Sequence, residues 1–212
     1  MRKFILFFLV VSVIICIIFL LGFLSGQKIV NISSLTNGRK DTLIVCFGED
    51  LTAGRGVPLG EDYPSQLAKM LNKVVVVNVS AEGRTTESAI DVLKRDVLTQ
   101  NPQIVIIELG RQDFFKRIPV DQTFQNLEKI ILEIQKKGAV CVILGLKMGM
   151  KKDEYSYRYK KLAEEFGCIY IPNWLDGVMT NPRYRSGLYY PNSQGYRILA
   201  ERVARKIKRI VR

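Results

Sequence analysis

The chain has 212 residues, 48% of them hydrophobic, and a formal net charge of +12 with no histidine. That length supports one domain with a sizeable core and excludes two ordinary ones. The lack of histidine, with no CxxC spacing among the four cysteines, excludes an ordinary zinc site.

The first element is directed to a membrane. Arg2 and Lys3 precede FILFFLVVSVIICIIFLLGFL, Phe4 to Leu24, which carries no charge. At about 1.5 Å per residue this run spans roughly 31 Å, close to a bilayer's hydrocarbon core. A cleavable signal peptide has a shorter apolar region and a small-x-small cleavage site, which Leu24-Ser25-Gly26 matches poorly. Residues 1–26 are therefore expected to be an uncleaved, single-pass transmembrane signal anchor. The basic pair directs the rest of the chain to the extracytoplasmic side, with Lys28, Arg39 and Lys40 weighing slightly against that orientation. Residues 27–40, rich in Asn, Ser, Thr and Gly, read as a linker. Residues 41–212 read as the domain.

From Asp41 onward, apolar runs alternate with helical patterns. TLIVCF is read as a strand and YPSQLAKMLNK as a helix with Pro64 in its first turn. VVVVNV is a strand of β-branched residues. TTESAIDVLKRDVL is a helix with threonine at its start and Ile90, Leu93 and Leu98 near one face. IVIIEL is the third strand. VDQTFQNLEKIILEIQKK is a long amphipathic helix ended by Gly138. AVCVILGL, DEYSYRYKKLAEEFG, CIYIP and NSQGYRILAERVARKIKRI continue as strand, helix, short strand and last helix. This alternation predicts an α/β fold, a five-stranded parallel sheet with helices on both faces. Ligands of such sheets bind outside the carboxyl ends of the strands. Cys46, Cys141 and Cys168 sit in or beside strands and read as buried thiols, a Cys141–Cys168 disulfide being the alternative outside the cytoplasm; Cys16 falls in the anchor.

Three of the strand ends and the start of the last helix carry a pattern. GEDLTAG after the first strand, NVSAEGRTT after the second, IIELGRQD after the third and SGLYYPNSQGYRILAE near the end resemble, in order, the four blocks of the SGNH (GDSL) hydrolases. The nearest likeness is to their small bacterial thioesterase, lysophospholipase and arylesterase branch. The resemblance covers residues 41 to 210 and implies a flavodoxin-like three-layer sandwich. It also implies acyl transfer or ester hydrolysis by a serine, a histidine and an aspartate, with no cofactor. Carried over by position, the family's serine falls on Asp50 and the aspartate before it on Glu49. The oxyanion glycine falls on Gly83 and the oxyanion asparagine on Gln112, followed by a matching Asp113. The aspartate of the last block falls on Gly187 and the histidine on Tyr190.

A carboxylate is a poor nucleophile toward an ester, and Tyr190, with an ordinary pKa near 10, is a weak base at neutral pH. The resemblance therefore leads to a catalytically degenerate protein, tethered outside the membrane, that binds an acyl or polysaccharide ligand or a protein partner. A second reading keeps an enzyme, with Asp50, Glu49 and Asp113 acting on an ester or glycosidic bond or holding a hard cation. A third rests on the basic end of the last helix, which would meet anionic headgroups or acidic polymers; nucleic acid is not an expected partner. The plain structural alternatives are that Asp50 caps a short helix at Ala53, that Glu49 and Asp113 accept loop hydrogen bonds, that Gly83 supplies backbone freedom, and that Tyr189 and Tyr190 pack as aromatics.

Overall fold

In the computed structural model, which describes residues 41–148 and 153–211, the apolar runs become strands of one parallel sheet. These are β1 (Thr42–Gly48), β2 (Val74–Ser80), β3 (Ile104–Glu108), β4 (Val140–Leu144) and β5 (Ile169–Ile171). Their order is β2-β1-β3-β4-β5 and every pair is parallel, the flavodoxin-like doubly wound arrangement. Central β1 and β3 are buried along their whole length. That is why their sequences are unbroken apolar runs without alternation. β2 departs from this expectation. It is the edge strand, its residues are only partly covered, and Val75 is half exposed.

The helices begin where the sequence supplies a cap. α1 (Tyr63–Met70) starts at Asp62, which accepts the Ser65 N–H at 2.8 Å. α2 (Thr86–Val92) starts at a Thr85–Ser88 capping box and runs on through a wide π turn, Leu93–Val97, and a 3-10 turn, Leu98–Gln100. A short helix, α3 (Arg111–Phe115), follows β3 and has no sequence counterpart, five residues being too few for a periodic signal. α4 (Val120–Lys136) buries Phe124, Leu127, Ile130, Ile131 and Ile134. It ends at Gly138, whose φ of +79° suits glycine. α5 (Glu154–Glu165) and α6 (Ser193–Ile207) complete the set. A two-stranded antiparallel ribbon, β6 (Arg185–Ser186) with β7 (Tyr190–Pro191), was likewise not foreseen.

α1 packs on α6, while α2 packs on α4 and α4 on α5. Right-handed crossovers put these two groups on opposite faces of the sheet. Beneath the first pair, Trp174 is fully buried against Tyr63, ring centroids 4.9 Å apart, and its indole N–H donates to the Leu199 carbonyl at 3.2 Å. Cys46, Cys141 and Cys168 are free thiols, the first two buried; burial pushes Cys46 up to about 12. Among the described residues no helix is long and apolar enough to cross a membrane. The predicted anchor over residues 4–24, Cys16 and the linker over residues 27–40 lie outside the described residues.

Candidate active site

β1 ends at Gly48 because the chain must turn sharply there. A methyl group at Gly48 would run into the Thr52 side chain and come within 2.9 Å of the Glu108 carbonyl. The turn that follows is closed by Ala53 N–H to Glu49 O at 2.9 Å and Arg55 N–H to Asp50 O at 3.1 Å. No helix forms at this point, and the Asp50 side chain does not cap Ala53 as expected. The carboxylate turns instead toward donors from three other segments. Its Oδ1 accepts the Gly83 N–H at 2.7 Å. Its Oδ2 accepts the Gln112 side-chain amide at 2.6 Å and the Tyr190 hydroxyl at 2.9 Å. Asp50 is completely buried. Four sequence-predicted residues, from the ends of β1, β2 and β3 and from the ribbon, thus meet at one carboxylate.

Gly83 adopts φ +71°, a backbone shape that favours glycine. Its loop is pinned by Lys116, whose Nζ donates to the Gly83 carbonyl at 2.8 Å, and by Arg84, which donates to the Val79 and Gly48 carbonyls. Gly187 stays in the turn between β6 and β7, at φ +73°, with no atom near the place a side chain would take. Tyr189 is exposed rather than packed.

Glu49 and Asp113 point elsewhere. Glu49 accepts the Arg111 and Gln112 N–H groups at 2.8 and 2.7 Å, holding the start of α3. Asp113 accepts the Thr86 N–H and hydroxyl at 2.9 and 2.5 Å, holding the start of α2. Both are the backbone-serving acceptors that the plain reading expected, and both are fully buried. Among the described residues no group of three or more Cys, Asp or Glu is arranged to hold a metal ion.

Three residues that the sequence reading did not assign complete the site. Glu108, at the end of β3, accepts from Glu49 N–H, Thr52 N–H and the Thr52 hydroxyl at 3.3, 3.2 and 2.9 Å. Its other oxygen is buried without a partner. Burial raises Glu108 to about 7 and raises Glu49 well above the usual carboxylate range, the neighbouring Glu108 adding to the latter. Arg111 is buried, with Nη1 3.9 Å from Asp50 Oδ2, and it donates to the Tyr189 carbonyl at 3.1 Å. Arg55, half exposed, reaches to 3.7 Å of the same oxygen. Both guanidinium groups lie over the Tyr190 ring, 5.2 Å from its centroid. The only sequence signal for Glu108 and Arg111 was their place in IIELGRQD, two charged residues flanking the end of an apolar strand.

The arrangement has a recognisable electrostatic form. A backbone N–H and a side-chain amide converge on one negative oxygen pair in a water-excluded place, as donors do around a developing oxyanion. The GDSL-like lipase/acylhydrolase family model matches residues 46–198. The chain belongs to this family. Among curated members, the arylesterase of Vibrio mimicus is 30% identical over 175 residues, covering 77% of this chain and 87% of the relative. The thioesterase 1/protease 1/lysophospholipase L1 of Escherichia coli K12 is 26% identical over 178 residues, covering 81% and 85%. Among solved structures, TesA superposes with a TM-score of 0.74 at 23% identity over 80% of this chain and 99% of its own. The SGNH-hydrolase family esterase AlinE4 gives 0.65 at 25% identity, covering 80% and 94%. The family match spans all four segments that build the site, three strand ends and the ribbon.

A separate groove of about 310 Å3 lies between α4 and α5, lined in part by Phe124, Tyr157 and Lys161. Across it Arg158 pairs with Asp121, and along its own helix with Glu154.

Proposed function

We propose that this GDSL-family chain does not hydrolyse esters and serves as a membrane-tethered, extracytoplasmic binding or scaffold module. The observation that carries the reading is the Asp50 carboxylate itself. It takes the Gly83 N–H and the Gln112 amide, the donors that a substrate oxyanion would need. An ester carbonyl entering the site would have to displace a buried, charged side chain that accepts three hydrogen bonds. A carboxylate so placed would also repel negative charge developing on that carbonyl. The chain holds no histidine to act as base, and Tyr190, which stands at the family's histidine position, spends its hydroxyl proton on Asp50.

The carboxylate-based alternative has less support. Both oxygens of Glu49 and of Asp113 are taken by helix-start donors, which leaves neither free to move a proton on a substrate. A binding role is supported by the rim of the site. Phe114, Phe115, Leu188 and Tyr189 are exposed there, with Arg111 between the Phe115 ring, at 4.7 Å, and the Tyr189 carbonyl. Such a rim suits the acyl, polysaccharide or protein ligand anticipated from the sequence.

The test is hydrolysis of short- and medium-chain p-nitrophenyl esters by the full chain in detergent, with Asp50→Asn as control. Both proteins are expected to show only the background rate of the uncatalysed reaction. Turnover that disappears in Asp50→Asn would overturn the reading and direct the search to a covalent acyl intermediate on Asp50.

A further inference from the structure

In a doubly wound sheet every helix runs back from the carboxyl edge of the strands to the amino edge. The Asp50 site occupies the carboxyl edge, so the helix ends gather at the opposite one. There α6 finishes with Arg205 and Lys206, followed by Lys208 and Arg209, all four exposed. They stand on a fixed base, because Ile207 and Val211 between and after them are buried in the core. The preceding acid on this helix, Glu201, is engaged by Arg197 at 3.4 Å and does not answer them. A helix dipole is complemented within the last turn; Lys208 is the C-cap of α6, its N–H bonded to the Ala204 carbonyl at 2.9 Å, and Arg209 lies one residue past it. The helix end therefore accounts for part of the cluster, and Arg209 extends it past the cap.

The same edge is where the chain enters the domain. Thr42, the first residue of β1, donates its N–H to the Lys73 carbonyl at 2.9 Å, and Lys73 is exposed. Arg39 and Lys40 immediately precede this point in the sequence, and the 21-residue apolar run ends only 17 residues before Asp41. Lys137, exposed just past the end of α4, lies on the same edge, while Lys136 beside it is paired with Glu133 at 2.5 Å. The acids near this edge include Asp41 at the entry to β1, Glu133 on α4, and Glu164 and Glu165 on α5; Glu164 is paired with Lys160 at 3.7 Å, and α4 and α5 both lie on the other face of the sheet from α6.

We propose that this basic amino edge, centred on Arg205, Lys206, Lys208 and Arg209, docks on an anionic bilayer surface, so that the Asp50 cleft opens away from the membrane. The inference rests on the tethered reading above, since it takes the surface as the one that holds the N-terminal segment. A short tether keeps the edge at high effective concentration beside the lipid, so weak headgroup attraction suffices. That attraction acts within about 10 Å at 0.1 M salt and weakens as salt rises.

The experiment reconstitutes the full chain in vesicles of phosphatidylcholine alone or of equal parts phosphatidylcholine and phosphatidylglycerol, then acylates accessible lysines with a water-soluble reagent. Labelling at Lys206 and Lys208 is expected to fall about threefold or more in the anionic vesicles. Lys116, beside the cleft, should label equally in both. The difference should vanish in high salt and shrink in the Arg205→Gln, Arg209→Gln double variant, which leaves both reporter lysines in place. Equal labelling of Lys206 and Lys208 in the two compositions, or protection at Lys116 instead, would overturn the docking. Alkaline carbonate extraction of the same vesicles reads the tether separately. A chain that stays with the lipid but shows no edge protection loses only the docking. A chain that is extracted, yet had shown protected Lys206 and Lys208, loses only the tether.

Discussion

At the scale of single residues the site is a set of buried acids, each held by a different set of donors. Asp50 faces three groups that all donate. Asparagine in its place offers one accepting oxygen and turns its NH2 toward donors, and Arg111 loses a counter-charge. Asp50→Asn is expected to destabilise the fold by about 1–3 kcal/mol. The single tryptophan, buried Trp174, gives the fluorescence signal for the denaturation curve. An unchanged midpoint would show that the carboxylate contributes nothing to the fold. Glu108 behaves in the opposite sense. Its folded pKa, about 7, lies above its ordinary value because burial disfavours the charge. The folded state then holds a proton that the unfolded chain releases. Stability from this group is full below about pH 4.5 and is lost as pH rises through 7; Glu49 shifts in the same direction. Glu108→Gln keeps an oxygen for Thr52 and Glu49 and places its NH2 where the carboxylate oxygen has no partner. The variant should be more stable than the parent at about pH 8, by up to roughly 3 kcal/mol, with little difference near pH 4. Denaturation midpoints at the two pH values check this, and parallel pH profiles would refute it.

At the scale of elements, the sequence was legible wherever a signal was repeated. The apolar runs of β1 and β3, the helix starts marked by Pro64 and by threonine, and the periodic stripe of α4 each repeat or punctuate a pattern, and each appears where expected. What escaped were short elements and long-range choices. α3 and the β6–β7 ribbon contain too few residues to show a period. Asp50 was expected to cap locally, as aspartate does after a strand. It does not, because donors 33, 62 and 140 residues away converge on it once the sheet brings the strand ends together. Glu108 and Arg111 could be seen in the sequence but not assigned, since their roles depend on that same convergence. The element most sensitive to substitution is the exit from β1. Gly48→Ala would force its new methyl against Thr52 and the Glu108 carbonyl, in a turn already closed by hydrogen bonds on both sides. A loss of about 1–3 kcal/mol is expected from this overpacking. Val75→Ala on the half-exposed edge strand should cost under about 1 kcal/mol. Equal losses from the two would mean that the turn is looser than its contacts indicate.

At the scale of the whole molecule, the family's frame and the chemistry at its centre are separable. The backbone that carries Gly83 and Gln112 toward the end of β1 is in place, and the family match covers that frame. If only side chains have been exchanged on this frame, restoring them should restore some turnover. Asp50→Ser supplies a nucleophile and frees both donors for a substrate oxyanion, but the hydroxyl alone has no base. This single variant should therefore stay at the background rate for p-nitrophenyl acetate. Adding Tyr190→His puts an imidazole where the Tyr190 hydroxyl now reaches residue 50. Adding Gly187→Asp supplies an orienting carboxylate, and no atom lies near that position to block it. The φ of +73° at Gly187 is a strain that aspartate tolerates better than most residues. The triple variant should hydrolyse the ester at least about tenfold faster than the parent, a small part of what an intact triad contributes. Gln112, one methylene longer than the asparagine it stands for, caps the gain, because a misplacement of about 1 Å costs on the order of a hundredfold. If the folded triple variant gains nothing, and Gln112→Asn on top of it also gains nothing, the backbone frame has itself moved away from catalytic geometry. The binding role would then rest on a reshaped cleft rather than on exchanged side chains.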